Sequence, residues 1–230
     1  MGARFLIFCF FLINNNVDLY AQNKQVNFSI ETQWSHQKLE LEKAYFLDTA
    51  SITISELKFY LSSFKLFSNE VLVFSDSIPA YLFDIENPTS IQLNIPESVD
   101  YDEFEFQLGI DSVLTVSGNM AGDLNPQKGM YWAWQSGYIN FRVEGQITHQ
   151  DKQKEDFDFH LGGYRHPFKS AQFIKIKMNS LNQRDVKLTI DIAEVLSYFN
   201  LNQLKHLMSP GDKAVEFSKV ISKKFILSKP

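Results

Sequence analysis

A two-residue alternation of apolar and polar side chains recurs along this chain, and it is the feature that most constrains the fold. In residues 25–34, Val26, Phe28, Ile30 and Trp34 share one side of an extended backbone, while polar side chains predominate on the other. Because successive side chains of a β-strand point to opposite faces, the pattern predicts a strand with one buried face. Comparable runs predict further strands at residues 39–45, 52–67, 71–74, 80–85, 91–95, 103–110, 138–145, 157–161, 172–178 and 185–192.

Helical spacing is confined to the C-terminal part of the chain. A short helix is predicted within residues 193–207, and apolar residues at near-helical spacing in residues 211–225 predict a closing amphipathic helix. Polar, Asn and Pro residues between the strands indicate consecutive antiparallel pairs. No composition break or linker divides the chain, so we predict a single domain over residues 22–230. Its class is all-β and mainly antiparallel, either a β-sandwich or a partly open barrel, with long loops and a short C-terminal helix.

The N-terminus predicts export. Arg4 precedes the apolar run of residues 5–13, and Ala21 supplies a small residue at a plausible cleavage site, as in a secretory signal peptide of residues 1–21. The apolar run is too short to span a bilayer, so we expect no membrane segment in the mature chain. Cys9 is the single cysteine and would be removed with the signal. We therefore predict a periplasmic, secreted or cell-surface protein without thiols.

Composition and motifs argue against several classes of function. The net charge is −5, and Lys and Arg residues are scattered without a basic stripe, which argues against nucleic-acid binding. No G-x-S-x-G elbow or similar motif indicates a hydrolytic triad. We therefore expect a binding protein and not an enzyme, with a hydrolase as an alternative because many carboxylates have no assigned role.

A long loop is predicted at residues 117–129, which contain three glycines and an Asn-Pro pair. Asp111, Asn119, Asp123 and Asn125 place oxygen ligands around it, and calcium favours such ligands on flexible loops. Asp and Asn also form turns, and their spacing here does not match an EF-hand. Both interpretations stay open at this point.

Residues 129–138 read GMYWAWQSGY, and this segment holds two of the three tryptophans. Trp132 and Trp134 share one face if the segment is extended. Such an aromatic stripe usually packs in a core, because each indole buries a large apolar area. Spacing alone therefore gives the tryptophans no function.

The five histidines are dispersed along the sequence. His160 lies on the polar side of its predicted strand and precedes two glycines, which let another segment approach the backbone. Alone, it is most simply a surface or hydrogen-bonding histidine. His36 follows the first strand and could reach one end of the sheet. Spacing assigns no role to His149, His166 or His206.

Six short phrases occur in an order typical of one family. They are LKFYLS at residues 57–62, LGIDS at 108–112, GDLNP at 122–126, GMYWAWQSGY at 129–138, VEG at 143–145 and FHLGG at 159–163. In these phrases the chain resembles the MbnP-like proteins, exported copper-binding proteins first linked to methanobactin systems, in the form common in Bacteroidetes-type bacteria. The strand-rich first segment and the sequence MSPGDKA at residues 208–214 are similar to the same pattern.

The resemblance implies a secreted or periplasmic β-rich protein that binds copper. In characterised relatives the ligands are histidine and a tryptophan oxidised to kynurenine, and the oxidation is attributed to a diheme cytochrome c peroxidase resembling MauG. Opening the indole ring creates an aromatic amine, which supplies a nitrogen lone pair that indole lacks. Imidazole and such an amine, with a methionine nearby, form a set that could hold copper.

The resemblance also transfers roles to single residues. Trp132 and Trp134 occupy the W-x-W phrase, and His160 occupies the F-H-x-G-G phrase. Some relatives have W-x-H here with the first tryptophan oxidised, so Trp132 is favoured as the modified residue, although the choice between the two stays open. Trp134 then stands where those relatives place a copper ligand. His36 is a candidate replacement for that ligand, without support from a motif.

Two functions follow from these observations. The first is a copper-binding protein of the cell envelope that serves copper acquisition, storage or delivery, with a tryptophan oxidised by a haem partner. The alternative is a metal-free or calcium-stabilised β-sandwich that binds carbohydrate or mediates adhesion, with exposed tryptophans as the binding platform.

Overall fold

The computed structural model describes residues 22–88, 90–118, 120–135 and 137–228. The predicted signal peptide, which includes Cys9, and Asn119 lie outside these residues. The strands are β1 (Asn23–Trp34), β2 (Gln37–Lys38), β3 (Ala44–Leu47), β4 (Ala50–Ser68), β5 (Val71–Ser75), β6 (Ala80–Asp84), β7 (Ile91–Pro96), β8 (Glu103–Leu108), β9 (Tyr131–Trp132), β10 (Gly137–Thr148), β11 (Lys154–Gly162), β12 (Gln172–Lys177), β13 (Asp185–Asp191), β14 (His206–Leu207) and β15 (Ile226–Leu227). The helices are α1 (Ser112–Val116), α2 (Ile192–Phe199) and α3 (Asp212–Ser222), with 3-10 turns at Gly122–Leu124 and Pro126–Lys128.

The strands form two sheets. In the five-stranded sheet, β1 pairs in parallel with β13 and antiparallel with β2 and β7. The ten-stranded sheet is organised around the long strand β4, which pairs antiparallel with β3, β5, β6, β8 and β10. Strand β10 continues this sheet to β11. The result is a mainly antiparallel β-sandwich, which confirms the predicted fold class.

The main core lies between the two sheets. Phe28 of β1 contacts Phe104 of β8 with ring centroids 5.0 Å apart, and both side chains are buried. Helices α2 and α3 extend this core, because Phe199 and Phe217 stack at 3.9 Å and both contact Phe159 of β11. The apolar side of each alternating strand therefore forms the core, as the alternation predicts.

A second apolar cluster, which we call the outer cluster, covers the other face of the ten-stranded sheet. Its buried members are Tyr60, Ala80, Leu82, Ile110, Leu124, Met130, Trp132, Tyr138 and Ile139. Two tyrosine hydroxyls attach the loop that follows α1 to this cluster: Tyr60 donates to the Asp123 carbonyl at 2.9 Å, and Tyr138 donates to the Leu124 carbonyl at 3.1 Å. The loop thus forms a lid over the sheet and positions residues 129–138 upon it.

The structure corrects two sequence predictions. The strand predicted at residues 39–45 is wrong, because Glu42 adopts a φ of 59° and the chain turns between β2 and β3. The prediction of consecutive antiparallel pairs also needs correction for β1, which pairs antiparallel with β2 over two residues but whose Asn27 pairs in parallel with Asp185 of the distant β13. The other predicted strands are present with shifted ends. Helix α3 falls within its predicted segment, and α2 begins one residue before its predicted segment, at Ile192. Among the described helices, none has the length and apolar character needed to cross a membrane.

Candidate functional site

Residues 129–138 form a short hairpin on the outer cluster. Tyr131 and Trp132 of β9 pair with the first residues of β10, and residues 133–135 lie in the turn between the two strands. Gly129 begins the hairpin with a φ of 77°, a left-handed conformation that glycine adopts without strain. The Gly129 carbonyl accepts a hydrogen bond from Arg142 Nη1 at 3.0 Å, which fixes the start of the hairpin to β10.

The hairpin separates the environments of its two tryptophans. Trp132 is 5% exposed and Trp134 is 67% exposed, while their rings stay in contact with centroids 5.7 Å apart. Trp134 lies in the turn, so the extended geometry that would place both indoles on one face ends at Trp132. Trp132 Nε1 is buried and has no hydrogen-bond partner among the described residues.

A charged network runs from His160 to the hairpin. His160 Nε2 lies 2.6 Å from Glu144 Oε1, and the same oxygen accepts from Arg142 Nε at 2.8 Å. Arg142 also pairs with Glu56 at 2.8 Å and donates to the Gly129 carbonyl. His160 on β11 is therefore connected through two side chains of β10 to the backbone at the start of the tryptophan segment.

The network determines which nitrogen of His160 carries the proton. Burial acts to raise the pKa of Glu144, but hydrogen bonds from His160 and Arg142, with the Arg142 charge, outweigh it and lower that pKa below its usual value. Glu144 is therefore ionised at neutral pH and only accepts hydrogen bonds. His160 Nε2 must then donate, so the lone pair of the neutral imidazole resides on Nδ1. No hydrogen bond to Nδ1 forms within the described part of the chain.

His160 of β11 and the indole of Trp132 from β9 lie side by side over one face of β11. Gly162 lies two residues beyond His160, so both positions face the same side of the strand. A Cβ added to Gly162 would lie 2.6 Å from Trp132 Cζ3 and 2.9 Å from Cη2, which shows that the indole packs directly over this glycine. The first glycine of FHLGG therefore makes room for the buried tryptophan beside the histidine.

The structure does not bring His36 to this place. Trp34, at the end of β1, stacks on Tyr45 of β3. Strand β3 pairs with the first residues of β4, and these residues pair in turn with the last residues of β10. Trp132 pairs with the first residue of β10 instead. At about 3.3 Å per residue, the ends of this twelve-residue strand are about 35 Å apart. His36 therefore belongs to the opposite end of the strand from Trp132.

The oxygen-bearing residues considered for calcium are used in turns. Asp111 accepts from a backbone N–H at the start of α1, and Asn125 does the same for the second 3-10 turn. Asp123 accepts from the Leu82 N–H at 2.8 Å and pairs with Lys128 at 2.6 Å. Throughout the ranges that the structure describes, no three His, Cys, Asp or Glu side chains converge as a metal site.

Sequence reasoning missed three residues beside the predicted ones. Glu144 and Arg142 share the polar side of β10, and only the register, which sets Arg142 opposite His160, indicates their contact. His166 received no role from spacing, yet it lines a cavity together with Trp132. Its proximity to FHLGG in the sequence was the one available signal.

Comparisons with known proteins place the chain in a family. The family model described as MbnP matches residues 23–209, which is most of the chain. No curated protein matches. A similar solved structure is MbnP from Methylosinus trichosporium, with 13% sequence identity and a TM-score of 0.49 over 77% of this chain and 78% of that one. On the extent of the family-model match, the chain belongs to the MbnP family.

Proposed function

We propose that this protein is a copper-binding protein of the cell envelope that serves copper acquisition, storage or delivery. It acts by binding and not as an enzyme, after export by its N-terminal signal. The observation that supports this proposal most directly is the state of His160, whose Nδ1 lone pair is unused while its Nε2 is held by a carboxylate. Histidines that ligate metals commonly donate their other N–H to such a carboxylate, which orients the ring.

The residues of the hairpin fit a copper site that is completed by modification. Imidazole nitrogen suits copper, and His160 supplies one such donor. Trp132 supplies a second only after oxidation, because the indole N–H has no available lone pair. Its buried, unpaired Nε1 lies in a side chain that packs over Gly162, beside His160. His160 and modified Trp132 would hold the metal, with Glu144 orienting the imidazole.

The modification requires an external oxidant, and we propose a diheme cytochrome c peroxidase resembling MauG as the partner. Two molecules of hydrogen peroxide, each reduced to water, cleave the indole Cγ–Cδ1 bond and leave a ketone at Cγ and a formamide on Nε1. Hydrolysis by one water molecule then breaks the Cδ1–Nε1 bond, which releases Cδ1 as formate and leaves an aromatic amine. The residue gains one oxygen atom and loses one carbon atom. Trp134 is the exposed member of the pair and Trp132 is the buried one. This difference supports Trp132 as the modified residue that binds the metal.

Peptide mass spectrometry with metal analysis tests the proposal. Trypsin cleaves after Lys128 and Arg142, so one peptide contains both Trp132 and Trp134 and no other tryptophan. Protein produced together with the peroxidase should contain copper and show the gain of oxygen with loss of carbon on Trp132 by fragmentation. Oxidation of Met130 in the same peptide adds oxygen without loss of carbon and is thereby distinguished.

A pair of histidine variants tests the ligand. His160→Ala should weaken copper binding at least about tenfold, since even groups that only support metal ligands contribute that much. His149→Ala is the matched control, because His149 also contacts a carboxylate, Glu155 at 2.7 Å, but lies on the exposed end of the β10–β11 hairpin. Equal copper binding by the two variants, or unmodified protein without copper after co-production, would refute the proposal.

The exposed Trp134 supports a second candidate, a carbohydrate-binding or adhesion module. An exposed indole is a suitable platform for a sugar ring, and Trp134 is 67% exposed. Thermal stabilisation by an oligosaccharide that is lost in Trp134→Ala, combined with no copper binding, would favour this function. Stabilisation by calcium would be a separate result, and the turn contacts of Asp111 and Asp123 argue against it.

A further inference from the structure

A cavity of about 260 Å³ opens beside Trp132 and has no part in the network around His160. Its buried lining residues are Trp132, Gly137 and Gly163, and its exposed lining residues include Arg165 and Phe168. The cavity is therefore a small concave site with an aromatic floor and a rim that reaches solvent.

Glycine residues keep this space open. A Cβ on Gly137 would lie 3.3 Å from the ring of Tyr164, and a Cβ on Gly163 would lie 3.1 Å from Pro210 Cβ and overlap the Phe168 carbonyl. A larger side chain at Gly163 would overlap backbone, and one at Gly137 would press on the Tyr164 ring, which lines the cavity. The volume is thus a property of the local sequence and not of a loose loop.

Arg165 gives the rim an uncompensated positive charge. Its Nε donates to the Tyr164 hydroxyl at 3.0 Å, and its guanidinium lies over the Tyr164 ring at 5.2 Å. Arg142 and Arg184 each pair with glutamate, whereas Arg165 has no carboxylate partner among the described residues. No Asp or Glu among the residues that the structure describes lines the cavity, although the chain as a whole carries a net charge of −5.

From these contacts we propose that the cavity binds a small aromatic carboxylate. Trp132 and Phe168 provide apolar aromatic surface for a ring, and Arg165 provides a planar fork of donors that matches a carboxylate. The volume lies just below the range of about 300–1,000 Å³ that is usual for ligand pockets, which selects a molecule with a single ring. The proposal does not depend on copper or on oxidation of Trp132.

Benzoate, benzamide and acetate are the probes for this site. Benzoate has both the ring and the charge, benzamide keeps the ring without the charge, and acetate keeps the charge without the ring. The indole N–H signals of the three tryptophans can be followed by NMR and assigned with Trp132→Phe and Trp134→Phe variants. Benzoate should shift the Trp132 signal at a concentration at least about tenfold lower than either other probe. A hydrogen bond to a charged group contributes that much relative to benzamide, and burial of the apolar ring contributes at least as much relative to acetate.

Two charge variants locate the carboxylate. Arg165→Gln should weaken benzoate binding about tenfold or more, while Lys169→Gln removes an exposed charge from the same loop without affecting the cavity. Both positions are exposed, and the dispersion of the NMR signals reports directly that each variant is folded. Equal affinity for benzoate and benzamide, no shift of the Trp132 signal at millimolar benzoate, or equal affinities of the two charge variants would overturn the proposal.

Discussion

Replacing Gly162 by alanine should displace Trp132 and destabilise the protein. The added Cβ would lie 2.5 Å from the Tyr138 carbonyl oxygen and 2.6 Å from Trp132 Cζ3. Both distances are below normal van der Waals contact, and the carbonyl belongs to β10, which is hydrogen-bonded to its neighbours. The indole, as a side chain, must therefore move to relieve the second contact, and the backbone of β10 must shift to relieve the first.

The expected magnitude follows from two opposing contributions. Forcing extra volume into a packed site costs about 1–3 kcal/mol. Replacing glycine restricts the unfolded chain and offsets about 0.4–1 kcal/mol of that cost. The net loss in free energy of unfolding should be about 1–2 kcal/mol. With an m value of about 2 kcal/mol per molar urea, the midpoint of unfolding should fall by about 0.5–1 M.

Urea unfolding followed by tryptophan fluorescence measures this loss, and NMR of the indole N–H groups shows whether Trp132 moves. Gly137→Ala is the matched control from the same hairpin, because its Cβ would approach only the ring of Tyr164, at 3.3 Å. That ring can give by a few tenths of an ångström, so the control should stay within about 0.5 kcal/mol of the natural protein. A Gly162→Ala variant with unchanged midpoint and an unmoved Trp132 signal would refute the packing of the indole on this glycine.

Two further predictions concern the sheet and the pH dependence of stability. Asn140 is buried, accepts a hydrogen bond from the Ile110 N–H at 2.8 Å and donates one to Ser170. Asn140→Ala leaves the Ile110 N–H unpaired, so the free energy of unfolding measured in urea should fall by about 1–3 kcal/mol. Gln25→Ala, on the exposed side of β1, is the control and should change that free energy little. Burial raises the pKa of the Tyr101 hydroxyl to about 12 from an ordinary value near 10. The unfolded chain therefore releases this proton first, and stability should fall as pH rises from 10 to 12; Tyr101→Phe should flatten that fall, and an identical alkaline slope in both proteins would contradict it.

In this chain, local sequence patterns predict where strands occur far better than they predict which strands pair with each other. The alternation at residues 25–34 corresponds to β1 with little shift at either end, because one side of the strand faces the core and the other does not. The parallel pairing of Asn27 with Asp185 joins residues at distant positions in the chain. No local pattern encodes that partner, since it depends on how the two sheets share one core. Turn chemistry at single residues, such as the left-handed Glu42, is equally hard to infer from alternation.

At the candidate site, too, the sequence identifies residues, whereas their surroundings depend on tertiary structure. The phrases GMYWAW and FHLGG direct attention to Trp132 and His160, which the structure places on one face of β11. Their different surroundings come from tertiary structure: the hairpin turn exposes Trp134, and the strand register brings Glu144 to His160. His36, in contrast, does not reach the site. Its position after the first strand does not determine which end of the sheet it lies at.

The unpaired Nε1 of Trp132 bears on whether packing or function explains why position 132 holds a tryptophan. If the outer cluster needed only apolar volume, phenylalanine would supply an aromatic ring without a buried donor. A buried N–H without an acceptor costs about 1–3 kcal/mol, and native interiors usually avoid it. The surrounding contacts add to this argument, since Gly162 makes room for the indole and the Arg142–Glu144 network fixes both the hairpin and His160. In the proposed function, chemistry at that nitrogen accounts for a side chain that is held this firmly while its one polar atom lacks a partner among the described residues.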